Sequence, residues 1–348
     1  MLPVDIVLHP SWWFHHEGIT FDQDFFYHPK KRVDVERKME NALYDRWGEY
    51  GLGQEHDQDI PQIGAVHLAA GFLLSEMLGC GIEYQEDAAP QVVEARLERP
   101  EIQVDKAFKS SAFQRFESLS KELKTRYGYV KGDVNWGGIL NIAMDLRGQQ
   151  IFIDMFDKPQ QIQSFLGDIA AVIEQFVTGI AQETGSSSIS VNRNVKNIPA
   201  PIYLHSECSH TMISVNDYEN YLLPFDAAWS EKFRPYGIHY CGSDPHRYAE
   251  SFAKIPHLDF LDVGWGGDIK TLRQQLPHTF LNIRLNPVDL AEQSAADIRA
   301  TITRLVKESG NPWLTGVCCI NMDQQVGDEQ ITTIFQTVHE LRNEYSTR

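Results

Sequence analysis

His239-Tyr240-Cys241-Gly242 sets an imidazole and a thiol two residues apart, and Cys318-Cys319 supplies further thiols far downstream. On a strand or at its end, side chains two apart point the same way. A thiol from a later strand end would complete three nitrogen and sulfur ligands with a fourth position open. That is the pattern of a catalytic zinc, whereas structural zinc sites are closed. It points to chemistry on a thiol, or on a group that the metal polarises. The plainer reading is that all three are ordinary buried residues, since free cysteine is among the most buried types.

Other groups carry weaker signals. His205-Ser206-Glu207-Cys208-Ser209-His210 has the composition of a metal cluster, and so do His9, His15 and His16. Such histidines more often serve packing or surface roles. Trp12 and Trp13 suit either a pocket for an aromatic or cationic group or the core. Asn135, Asn192, Arg193 and Asn194 can bond a polar substrate tail or simply cap helices. Cys80 reads as a buried apolar cysteine.

The elements that must position these residues alternate. Helical patterns are expected over residues 32–47, 62–78, 218–233, 244–255, 268–276, 294–309 and 328–345. Another opens at Lys158-Pro159, with Ile162, Phe165, Leu166, Ile169, Val172, Ile173 and Phe176 at helical spacing. Strands are expected over 126–134, 188–191, 202–204, 237–241, 258–263, 280–285 and 313–317. Alternation with short connections implies an α/β fold with a parallel sheet, and the number of units suits a (β/α)8 TIM barrel. An open doubly wound sheet is the competitor, without a G-x-G-x-x-G turn or P-loop to support nucleotide binding. Asn135, Asn192, Glu207, Cys241, Asp262 and Cys318 all fall at or just past the carboxyl ends of expected strands. In a barrel that face carries the active site. Residues 1–60, rich in aromatic and histidine side chains, are expected as an extension packed on a barrel of residues 60–348.

The chain has 348 residues and a formal net charge of −17. Its one short basic run, Lys30-Lys31-Arg32, is no nucleic-acid footprint, and the acidic balance disfavours nucleic acid and anionic membranes. Five cysteines, an odd number at these spacings, fit metal chemistry better than a disulfide framework. The start, Met1-Leu2-Pro3-Val4-Asp5, does not read as a signal peptide, and no apolar run approaches membrane-spanning length. A reducing cytoplasm is the expected compartment.

Several stretches together resemble the uroporphyrinogen decarboxylase superfamily over roughly residues 60–345. They are Asp133-Val134-Asn135-Trp136-Gly137-Gly138 with Asp145-Leu146-Arg147-Gly148 and Lys158-Pro159; Ile213-Ser214 with Tyr218 and Leu223-Pro224-Phe225; Ile238-His239-Tyr240-Cys241-Gly242; Leu285-Asn286-Pro287; and Val317-Cys318-Cys319-Ile320. The H-x-C pair with a late cysteine is similar to the zinc-dependent corrinoid methyltransferase branch, which includes coenzyme M methyltransferases and O-demethylase methyltransferases. The decarboxylases carry an arginine-rich segment near the N-terminus, where this chain has His9-Pro10-Ser11-Trp12-Trp13. A decarboxylase-like lyase and a non-catalytic binding protein of the same fold are the alternatives.

The resemblance implies zinc on His239, Cys241 and Cys318, with Cys319 as the neighbour that strand alternation would turn away. It implies Asp262, or else Glu207, as an acidic residue at the fourth position. Asn135, Gly137 and Asn192 are the expected cofactor-contacting residues, and the 205–210 run is a loop facing the pocket. The implied reaction moves a methyl group between a small methyl donor or thiol acceptor and a corrinoid. The sequence lacks the corrinoid-binding motif D-x-H-x-x-G in its usual surroundings, so a separate corrinoid carrier protein is the implied partner.

Overall fold

Short apolar runs buried on both faces pair as a parallel sheet, because each needs cover above and below. The computed structural model describes residues 1–64, 71–132, 136–185 and 202–346. Its strands are β1 (Val4–Leu8), β2 (Gly81–Glu83), β3 (Gln91–Val93), β4 (Tyr203–Ser206), β5 (Tyr236–His239), β6 (Phe260–Val263), β7 (Phe280–Leu285) and β8 (Thr315–Met322). Six of them form one sheet in the order β1-β8-β7-β6-β5-β4, with every neighbouring pair parallel. β2 and β3 make a separate antiparallel pair. All residues of β4, β5 and β6 are buried. The sheet curls as a half-barrel with helices outside it. Closure into eight strands is not seen among the described residues.

Three expectations meet a different structure. The segment expected as an extension packed on the barrel supplies a strand of the sheet, β1, whose Asp5 pairs in register with Cys318 of β8. Val4–Leu8 is a buried strand, so it completes the edge of β8 instead of covering it. The strand expected over 126–134 begins inside the helix Ser111–Tyr127, which ends on Gly128 in the left-handed region. Lys131 then makes a single parallel bridge to Gln62. Of the helix expected over 62–78, Phe72–Met77 is helical and residues 65–70 lie outside the described part. The strand expected over 188–191 also lies outside it.

The later units follow their patterns closely. Ser294 caps the helix Ala295–Glu308 in a capping box with Asp297, and Ile298, Ile302, Leu305 and Val306 are its buried face. The helix Pro159–Thr184 buries the expected stripe from Ile162 to Phe176. Contrary to the sequence reading, it is long and apolar enough by composition to cross a membrane. Half of its most apolar window is buried inside the protein, as in a core helix. Trp12 and Trp13 are also core: both are fully buried, and Trp12 donates its indole N–H to Val326 O at 3.0 Å. His9 caps the helix Pro10–Glu17 through Nδ1, accepting from Ser11 N at 3.1 Å.

Candidate metal centre

His239 ends β5, and Cys241 follows two residues later on the same side of the chain. Cys208 opens the 3-10 turn Cys208–Met212, two residues past the end of neighbouring β4. The three come together: their ligand atoms lie within 4.8 Å of one another. His239 Nε2 is 2.8 Å from Cys241 Sγ, and Cys208 Sγ is 2.8 Å from Cys241 Sγ. Two glycines make room for this arrangement. A Cβ on Gly264 would stand 1.8 Å from Gly242 O, so the turns after β5 and β6 touch backbone to backbone.

Behind the cluster, His239 Nδ1 pairs with the Asp262 carboxylate of β6. Asp262 Oδ1 also accepts from Asn282 Nδ2 and from Cys318 Sγ, each at 3.4 Å. Arg284 of β7 reaches Cys241 Sγ at 3.5 Å while its guanidinium lies 4.9 Å from the Trp265 ring centroid. Asp262, Asn282, Arg284 and Cys318 are all buried.

Charge follows from these contacts. The Cys208 hydrogen bond holds the Cys241 thiol well below its usual value; burial opposes this, and His239 and Arg284 reinforce it. The same hydrogen bond, with burial, pushes Cys208 well above. Burial works against charge on His239, yet Cys241 and Asp262 raise it to about 9. These directions favour negative charge on Cys241 beside positive charge on His239, with Cys208 as the thiol donor. Two cysteine sulfurs and an imidazole nitrogen within 4.8 Å of one another are a donor set that suits zinc. The carboxylate on the far ring nitrogen is the outer partner that zinc-binding histidines ordinarily have.

The expected residues fall into place unevenly. His239 and Cys241 meet as the H-x-C spacing implied. Cys318 does not join their cluster: it sits on β8, three strands from β5, and its sulfur rests against Asp262. Cys319 points elsewhere, toward Leu285 O at 3.8 Å. Asp262 stands behind His239, on the ring nitrogen remote from Cys241. Glu207 accepts from Leu140 N at 2.7 Å and Ser209 N at 3.2 Å, anchoring the start of the helix Ile139–Arg147. Burial raises Glu207 to about 7, against the pull of His205 and those two N–H groups. His205 turns its Nδ1 to Asp226 Oδ1 at 2.7 Å, and Asp226 also accepts from the Tyr218 and Tyr236 hydroxyls at 2.6 Å. Asn135 and Asn192 lie outside the described residues.

Gly137 lines a cavity of about 490 Å³ that also includes Cys208, Asn141 and Asp145. A larger cleft of about 1510 Å³ between the helices Ser111–Tyr127, Pro159–Thr184 and Leu223–Lys232 includes none of the cluster residues. Sequence reasoning had grouped Cys208 with pocket residues and had missed Arg284. The signal for Arg284 was present: Asn282 and Arg284 alternate within the apolar run Phe280–Leu285, so both face the barrel interior.

No family model matches the sequence, and no curated protein matches it. Solved structures do. The chain is similar to a methyltransferase from Methanosarcina mazei at 11% identity and a TM-score of 0.66, over 97% of this chain and 94% of that one. It is also similar to a B12-independent methionine synthase from Shewanella sp. W3-18-1, solved with selenomethionine, at 9% identity and a TM-score of 0.53. That match covers 99% of each chain. At these identities the likeness is one of fold, and it agrees with the fold that the sequence resemblance implies.

Proposed function

We propose that this chain is a zinc-dependent methyltransferase that moves a methyl group between a corrinoid on a separate carrier protein and a small methyl donor or thiol acceptor. The observation that carries the reading is the Cys208–His239–Cys241 cluster, backed by Asp262, at the strand ends of a fold shared with methyltransferases. His239, Cys241 and Cys208 would hold the metal. Bound zinc would supply Lewis acidity, which favours the thiolate form of a thiol or makes a methyl-bearing atom a better leaving group.

The chain's own residues do the rest. Asp262 fixes the ring of His239 and keeps its Nε2 turned to the cluster. Arg284 offsets thiolate charge from inside the barrel. Phe72 and Trp136 line the cavity beside Cys208. Met212 and Val288, which follow β4 and β7, are half exposed or more and offer apolar contact to a carrier at the mouth.

One solved neighbour is described as B12-independent, which favours a second reading in which the methyl group comes from a donor other than a corrinoid. A single experiment separates the readings. Zinc-loaded protein is given methylcobalamin and a panel of thiols, beside a demethylation assay with Co(I) carrier. Turnover in either supports the corrinoid reading. Bound zinc with turnover in neither directs attention to the non-corrinoid donor.

A further inference from the structure

We infer that the cavity beside Cys208 takes a substrate carrying an ammonium or other cationic group, held by Asp145. This rests on the methyl-transfer reading for the reacting end of the substrate. It concerns the other end.

The cavity of about 490 Å³ is of small-molecule size. Its walls come from four places: the start of the helix Phe72–Met77, β3 with the two residues before it, the Trp136-Gly137 turn, and the helix Ile139–Arg147. Cys208 and Ser209 join it to the metal cluster. Most polar groups on this wall are already committed. Asn141 accepts from Ser209 N at 2.9 Å and donates to Ser206 O at 3.4 Å. Ser209 donates to Asn141 and to Met144 Sδ. Gln91 donates to Ala89 O at 2.9 Å.

Asp145 is different. It is the one charged side chain among the described lining residues, and none of them is Lys, Arg or His. One carboxylate oxygen accepts from Ser75 Oγ at 2.6 Å, and the group has no ion pair among the described residues. Glu94 adds negative field instead of relieving it. Burial and that field raise the Asp145 carboxyl to about 6, with only the Ser75 bond opposing, as expected of a carboxylate that lacks its counter-ion. Phe72, Trp136 and Met144 around it lower the local dielectric, which strengthens attraction to a bound cation. Asn141 and Asp145 are four residues apart on one helix, about one turn or 6 Å along its axis. The carboxylate therefore stands a short molecule's length from the loop that carries Cys208. A sulfonate or carboxylate tail would meet Asp145 with no compensating cation among the described residues of this wall.

The test uses the full-length, zinc-loaded protein and calorimetry near pH 7.5. Cysteamine, 2-mercaptoethanol and 3-mercaptopropionate are the thiol probes; propylamine and 1-propanol are probes without sulfur. Wild-type protein should bind cysteamine at least tenfold tighter than 3-mercaptopropionate, and propylamine measurably tighter than 1-propanol. Asp145→Asn should bring each pair to within about twofold. An anionic thiol that binds as tightly as cysteamine to the wild-type protein overturns the inference. So does an amine preference that survives Asp145→Asn. The sulfur-free pair makes the two readings separable. If propylamine is preferred through Asp145 but thiols gain nothing over it, the cationic site stands and the zinc-thiol reading falls.

Discussion

Asp262 holds His239 by Nδ1, so that the other ring nitrogen, Nε2, stands 2.8 Å from Cys241 Sγ. The pairing crosses two adjacent strands whose residues 239 and 262 are register partners. A carboxylate in this position fixes both the ring's orientation and its tautomer, and it raises the basicity of the nitrogen turned to a metal.

Asp262→Asn should therefore weaken zinc binding without removing it. Loss of an outer partner of this kind ordinarily costs about 10- to 100-fold in metal affinity. Competition with a chromophoric chelator measures it. An unchanged zinc affinity would show that Asp262 serves only the barrel interior, through Asn282 and Cys318.

Cys208 and Cys318 compete for the third ligand position. The geometry favours Cys208, and the family resemblance favours Cys318. Cys208→Ala should lower zinc stoichiometry sharply, as Cys241→Ala should, because two remaining ligands rarely hold zinc tightly. Cys318→Ala should leave most of the metal in place. Elemental analysis of the purified variants decides. The reverse order would restore the ligand set that the resemblance implies and would require the Cys318 side chain to leave Asp262.

Gly264→Ala should disturb the centre from outside it. Its Cβ would fall 1.8 Å from Gly242 O, which is backbone and cannot swing aside. The turn that follows Cys241 must move. A stability loss of about 1–3 kcal/mol, the usual range for overpacking, should accompany weaker zinc binding. Denaturant unfolding and metal content on the same sample check both. Wild-type behaviour in the two measurements would mean that the turns are not in contact.

Asp145 gives a pH dependence of known sign. Burial raises its carboxyl to about 6 from 3.8, Ser75 opposes, and Glu94 adds to the rise. Between those values the folded protein binds more protons than the unfolded chain, so this group lowers stability as pH rises through the window. The loss is on the order of 3 kcal/mol once pH is well above 6. Asp145→Asn should flatten that part of the profile and leave the variant relatively more stable at pH 7.5 than at pH 4.5. Equal slopes for the two proteins would remove Asp145 as the source. The groups that face it are Glu94, the Ser75 hydroxyl and the Cys80 thiol, which donates to Asp145 O. Cys80, raised to about 12 and first of all by burial, stays neutral throughout the range.

Much of this protein was legible from local pattern alone. The alternation of β7 spans Phe280–Leu285 in both reading and structure, and the stripe of Ala295–Glu308 is buried as its spacing implies. His239 and Cys241 had to share a side because side chains two apart along an extended chain do so wherever the chain lies. Periodicity failed where local signals conflict: Arg126 and Tyr127 belong to a helix despite the extended pattern that follows them. It also could not see that Val4–Leu8 pairs with β8, since that contact joins opposite ends of the sequence. The third thiol was beyond it for the same reason. Cys208 lies in the turn just past β4, the strand next to β5, whereas Cys318 lies on β8, three strands from β5 in the sheet order. Strand order decides which sulfur reaches Cys241, and strand order is set by packing between distant segments, not by any spacing within one of them.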